Sequence, residues 1–248
     1  MVLRLAARWP LQIESQVTAT RPGGVTRLDM TNERWRYTNV YAQSVFGAED
    51  DLLRDLVRRA AEEDVPNWAV SADIGRLLGI LVAMTPGKLA LEIGTLAGYS
   101  AIWIARALAP DGRLITIEFE DRHADFASRQ FERAGLTDRI ELRRGAALDV
   151  LPAIAAEIGE RSLDFAFVDA DKREYPAYFA AVRPLIAVGG LLVVDNVFGT
   201  GGSWIDDLSD VGSAATDRMN RAVAADAAFD ATALAVRSGL LIARRIMA

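Results

Sequence analysis

The chain has 248 residues, a net charge of −6, and 51% apolar against 25% charged residues. That balance is ordinary for a soluble globular protein and gives no basic footprint for nucleic acid, and the chain has no apolar run near the roughly 18 residues of a membrane span. It has no cysteine and one histidine, His123, which excludes disulfides, thiolate metal ligands and a histidine-rich zinc site, and makes the cytoplasm the expected compartment.

Residues 1–16 carry Arg4 and Arg8 but are broken by Trp9-Pro10, so no secretory signal is expected. Arg21-Pro22-Gly23-Gly24 marks an exposed turn, and 35–46 is an aromatic-rich short helix that packs on the domain or on a second subunit. Leu52, Leu53, Leu56 and Val57 give 50–63 an apolar helical face opposite its arginines. Ser71 is a candidate N-cap for a helix through Met84, ended by Pro86-Gly87. Strands at 89–93, 113–118, 139–143, 163–168 and 190–195 then alternate with helices at 100–108, 121–134, 147–158 and 175–183, which implies a parallel sheet with right-handed crossovers. Residues 216–227 read as helix, and 229–236 and 240–246 as strands about an Arg237-Ser238-Gly239 turn. The whole fits one domain, 1–248, with 1–34 as an extension and 70–248 as the core.

The most informative stretch is Leu89 to Ser100, LALEIGTLAGYS. A buried strand ends in Glu92, and Gly94 and Gly98 form a tight turn. The helix that follows presents free amides to a ligand. A third glycine for a dinucleotide turn and a lysine for a phosphate loop are both missing, and a carboxylate at the strand end suits a cationic ligand better than phosphate. Three more apolar strands end in polar residues on the same side: Glu118, about 20 residues on, at the position of a ribose acceptor; Asp169-Ala170-Asp171-Lys172; and Asp195-Asn196.

Together, E-I-G-T-x-x-G-Y-S, I-E, V-D-A-D-K-x-x-Y and D-N resemble the cation-dependent O-methyltransferases, the group of catechol and caffeoyl-CoA O-methyltransferases, from about Val70 onward. The resemblance implies a Rossmann-like α/β methyltransferase fold: a mostly parallel seven-stranded sheet, helices on both faces and a C-terminal antiparallel hairpin. It implies S-adenosylmethionine as donor, a homodimer, and a small aromatic acceptor bearing vicinal hydroxyls. No nucleic acid or membrane partner is expected. A donor-binding module without turnover and a dinucleotide-dependent oxidoreductase are the alternatives.

In that frame Val70, Gly94, Thr95 and Ser100 meet the methionine end of the donor, while Glu92 orders the turn or merely caps it. Glu118 accepts from the ribose hydroxyls. Gly145, Ala146 and Ala147 border adenine or simply start a helix. Asp169, Asp195 and Asn196 offer only oxygen ligands, which suits a divalent cation, Mg²⁺ foremost with Ca²⁺ or Mn²⁺ as alternatives; Asp195-Asn196 alone would read as a turn. Asp169 and Lys172 are the catalytic candidates. A partly buried lysine beside a divalent cation is poised to take the phenolic proton, although an ion pair with Asp169 or Asp171 competes with that role. Asp171 and Tyr175 are expected at the substrate edge. His123 reads as a solvated helix residue rather than a catalyst, and Val197 to Trp204 as a mobile flap over the acceptor or a plain surface loop.

Overall fold

A computed structural model describes residues 31–200 and 202–247. The expected turn at 21–24 and the reading of 1–16 lie outside the described residues. The chain divides into two units at Tyr37/Thr38; the first is described only over residues 31–37, where helix α1 (Asn32–Phe46) begins. The second, Thr38–Ala248, holds the sheet.

Its centre is a seven-stranded sheet, in the order β3-β2-β1-β4-β5-β9-β8. The strands β1 (Leu89–Ile93), β2 (Arg113–Glu118), β3 (Ile140–Arg144), β4 (Leu163–Val168) and β5 (Ile186–Asp195) run parallel. The last two, β8 (Phe229–Leu234) and β9 (Leu240–Arg245), form an antiparallel hairpin that joins the sheet at β5. The chain starts in the middle at β1, winds outward to β3, then returns to β4 on the other side, so the strand order reverses between β1 and β4. Ligand crevices of open α/β sheets form at such a point.

Side-chain alternation explains why these strands read as unbroken apolar runs. In β4, Phe165 and Phe167 enter one buried cluster with α2 (Asp51–Glu62), α3 (Ala72–Ala83), α4 (Tyr99–Ala107) and α5 (Asp121–Arg133). Ala166 and Val168 enter the other, with α6 (Ala147–Ile158), α7 (Tyr175–Val182) and α8 (Val211–Ala225). Both faces are covered, as a parallel sheet requires.

Four local details refine the sequence expectations. Ser71 has N-cap backbone geometry, but its hydroxyl makes no capping bond and is buried without a partner. Helix α8 starts five residues before the expected Thr216, because the Asp210 side chain accepts from Ser213 N at 2.7 Å and caps it there. Strand β5 begins at Ile186 rather than 190, running through an irregular register against β4, and a Cβ at Gly190 would meet Leu163 O at 2.7 Å. Finally, the glycine-rich segment after Asn196 is a small hairpin of β6 (Gly199–Thr200) and β7 (Ser203–Trp204), tied back by Ile205 N to Phe198 O at 2.8 Å.

Candidate active site

A cavity of about 560 Å³ opens at the carboxyl ends of β1, β2 and β4, where the strand order reverses. The β1–α4 turn, Gly94 to Ala97, forms one wall. Facing it are Trp68 to Val70, Glu118 to Glu120 with His123, Gly145 to Ala147, Asp169 to Asp171, Tyr178 and Asn196.

The two glycines of the turn are required by the protein's own packing. Gly94 has φ +99°, and a Cβ there would lie 2.1 Å from Asp169 O; Gly98, at φ +83°, would collide with the Phe131 ring at 2.6 Å. Their bareness lets the ends of β1 and β4 close together and lets α4 start against α5. The turn is then held by Glu118. One carboxylate oxygen accepts from Thr95 N (3.2 Å) and Leu96 N (2.7 Å), and the other from Glu120 N at 3.0 Å. A carboxylate has about four acceptor positions, so the group that lines the cavity also fastens its wall.

Glu92 occupies the layer beneath. It is fully buried and does not line the cavity. Its Oε2 accepts from the Thr116 hydroxyl at 2.6 Å, and Thr116 lies 2.5 Å from the Thr95 hydroxyl, so a short polar chain runs from Glu92 up to the turn. Burial pushes its carboxyl up to about 8, against the hydrogen bonds of Thr116 and Ser100 and with added repulsion from Asp169 and Glu118. An acid raised in this way takes up a proton on folding, so its contribution to stability falls as pH rises from the ordinary carboxylate range towards pH 8. Glu92→Gln should therefore gain on the wild type by about 1.4 kcal/mol per pH unit across that window. Urea midpoints at about pH 5 and 8 test this, and parallel curves would remove the buried proton.

At the ends of β4 and β5 two acids meet. Asp195 is 3% exposed, and burial together with the charge of Asp169 pushes it up to about 6, while Arg237 and the Asn196 amide act the other way. Asn196 N donates to Asp195 Oδ1 at 2.9 Å, and Asn196 itself is held at φ +57°. Two carboxylates brought together at an energetic cost, followed in the chain by the Asn196 amide and with no nitrogen or sulfur ligand, would suit a hard divalent cation. Among the described residues no group of three or more histidine, cysteine or acidic side chains is placed to hold a metal ion. Lys172 Nζ donates to Asp169 Oδ1 at 2.7 Å and lies 4.9 Å from the centre of the Tyr175 ring.

Residues 42–246 match the model of a protein family described as O-methyltransferase. The chain belongs to this O-methyltransferase family. It is 38% identical to a catechol O-methyltransferase of Niastella koreensis over 83% of this chain and 92% of that one. Among solved structures it resembles an O-methyltransferase from Bacillus cereus in complex with SAH, with a TM-score of 0.79 and 37% identity over 86% of this chain and 99% of that one. TomG from Streptomyces achromogenes, an O-methyltransferase involved in tomaymycin synthesis and solved with SAM, gives the same TM-score and identity over 88% and 100%.

In this O-methyltransferase most of the expected site residues converge. Val70, Gly94, Thr95, Ser100, Glu118, Ala147, Asp169, Asp171 and Asn196 all line the cavity. Lys172 and Asp195 stand just behind it, joined to Asp169 by an ion pair and by proximity respectively. Tyr175 does not sit at an accessible substrate edge. It is 1% exposed, and its hydroxyl donates to Asp195 O at 2.9 Å, so it supports the strand end from below. The aromatic of α7 that lines the cavity is Tyr178, one helical turn on. Asp171 is partly engaged in capping its own turn, accepting from Arg173 N at 3.0 Å.

Sequence reasoning passed over Trp68 and Phe119 and read His123 as a solvated helix residue rather than a catalyst. The Trp68 and Phe119 side chains are largely exposed at the cavity rim. His123 is no solvated helix residue: its side chain is 17% exposed, and Nδ1 lies 3.5 Å from Glu118 Oε1. The signal was its place beside Ala124 and Ala127, the buried stripe of α5.

Proposed function

We propose that this chain transfers the methyl group of S-adenosylmethionine to one hydroxyl of a small aromatic bearing vicinal hydroxyls, with a divalent cation, Mg²⁺ foremost, held by Asp169, Asp195 and Asn196. The observation that carries the reading is the meeting of Asp169, buried Asp195 and Asn196 against a cavity whose wall is the Gly94–Ala97 turn. The name of the Niastella koreensis relative supports a catechol-like acceptor, and family membership sets aside the dinucleotide-dependent oxidoreductase.

In this reading Val70, Gly94, Thr95 and Ser100 surround the methionine portion of the donor, Glu118 accepts from its ribose, and Ala147 borders adenine. His123, beside Glu118, belongs to the same wall. A divalent cation held by Asp169, Asp195 and Asn196 would supply Lewis-acid activation that makes an acceptor hydroxyl more acidic. Lys172, once deprotonated, takes the proton of the reacting hydroxyl. The oxygen forms a bond to the methyl carbon while the carbon–sulfur bond breaks and sulfur keeps the electron pair. Asp169 holds Lys172 in position through the 2.7 Å contact, and Tyr175 holds the Asp195 backbone. Positioning of this kind supplies much of the rate gain in a displacement reaction.

The absence of cysteine supports a cytoplasmic setting, and the exposed apolar side chains of α1, Val40, Val45 and Phe46, support a homodimeric working form. Among the described residues no helix is long and apolar enough to cross a membrane.

The test is transfer of labelled methyl to a catechol and to the matching monohydroxy phenol. The catechol should be preferred at least ~100-fold, because a single oxygen cannot be held at two points. Equal rates would remove the vicinal-diol requirement, and no transfer to either would leave a donor-binding module.

A further inference from the structure

Glu118 has little capacity left for a ribose. A carboxylate offers about four acceptor positions. The protein's own amides fill three of them: Oε2 accepts from Thr95 N (3.2 Å) and Leu96 N (2.7 Å), and Oε1 from Glu120 N (3.0 Å). The position that remains is on Oε1. A ribose brings two neighbouring hydroxyls, and one free position serves one of them.

A second acceptor stands beside the first. His123, the single histidine of the chain, lines the cavity from the first turn of α5. Its side chain is 17% exposed, and Nδ1 lies 3.5 Å from Glu118 Oε1. That gap is longer than an ordinary hydrogen bond. Closing it would occupy the last position on Oε1 and shut the ribose out. Left open, the two atoms form a pair of acceptors at a spacing that suits adjacent hydroxyls. Both are held on firm supports. Glu118 ends β2 and is pinned by three amides, while the neighbours of His123 on α5, Ala124, Phe126 and Ala127, are fully buried.

We propose that His123 is a donor-binding residue whose Nδ1 accepts from one ribose hydroxyl while Glu118 Oε1 accepts from the other. The inference rests on the reading of Glu118 as the ribose partner and deepens it. It requires a neutral imidazole with its proton on Nε2, because a proton on Nδ1 would be donated to Glu118 instead.

The experiment measures the dissociation constants of SAH and of its 2′-deoxy and 3′-deoxy forms by calorimetry. The proteins are the full-length wild type, His123→Asn and His123→Leu. Asparagine keeps an acceptor near the place of Nδ1, and leucine keeps bulk without one. In the wild type, loss of the hydroxyl on Glu118 should weaken binding by roughly tenfold or more, and loss of the hydroxyl on His123 by roughly three- to tenfold. In His123→Leu, SAH should weaken by the smaller factor. One deoxy form should then bind as well as SAH, and the other should keep its wild-type penalty. His123→Asn should show both penalties. A second readout needs no variant: as the only histidine, His123 gives ring nitrogen signals that NMR reads without assignment, and the SAH complex should show the Nε2–H form. Both penalties persisting in His123→Leu, a wild-type penalty for one hydroxyl only, or a proton on Nδ1 in the complex overturns the proposal and leaves His123 as a partner of Glu118 alone. A wild type that binds SAH with no penalty for either hydroxyl moves the ribose elsewhere, and the Glu118 reading falls as well.

Discussion

Asp195→Ala should lower methyl transfer to a catechol by at least ~10³-fold, the scale of the several kcal/mol that a bound metal ion contributes to a transition state. Donor affinity should stay within about threefold, because Asp195 lies behind the cavity lining and touches none of the turn that Glu118 fastens. Loss through unfolding is separable from loss through chemistry. Burial and Asp169 already disfavour the ionised form of Asp195. A neutral isostere, Asp195→Asn, should therefore leave the metal-free protein at least as stable as the wild type near pH 7 while losing activity. Turnover above a tenth of the wild-type rate in both variants would detach Asp195 from the chemistry.

The second large effect concerns Lys172. Of the described residues near the acid pair, it is the base candidate in direct contact with Asp169, at 2.7 Å, and partly buried. If its amine accepts the phenolic proton, Lys172→Ala should lower turnover by about 10²–10⁴-fold with little change in donor affinity. The loss should shrink for a nitro-substituted catechol, whose hydroxyl is acidic without help. The ion pair gives the competing outcome. If Lys172 only orients Asp169, Lys172→Ala should slow ordinary and acidic catechols equally at every pH. Turnover of both acceptors between about pH 6.5 and 9.5 distinguishes a base from a strut.

Much of the fold was legible because buried parallel strands are continuous apolar runs that end abruptly in a polar residue. Glu118, Val168-Asp169 and Asp195 mark those ends in the sequence and lie at one edge of the sheet in the structure. What failed was the direction in which particular side chains point. Tyr175 follows Asp169 at family spacing, but the intervening 3-10 turn, Lys172–Glu174, sends it under the sheet end and leaves Tyr178 at the cavity. Glu92 alternates with Ile93, so it shares the face of Ala90 under α4 rather than the cavity, which strict period-two counting could have shown. Trp68 had no motif to announce it, and it reaches the cavity because the chain folds back there in the segment before α3. The early start of α8 was readable in principle, since Asp210 stands three residues before Ser213 as an N-cap should.

The central claim is that the acid pair and Asn196 hold a divalent cation on which methyl transfer depends. The direct measurement is catechol methylation by the wild-type protein before chelation, after chelation and after Mg²⁺ is restored, with donor binding followed in parallel by calorimetry. Chelation should cut turnover to about 1% or less, Mg²⁺ should restore it, and donor affinity should change little. Full turnover in the presence of excess chelator would contradict the account.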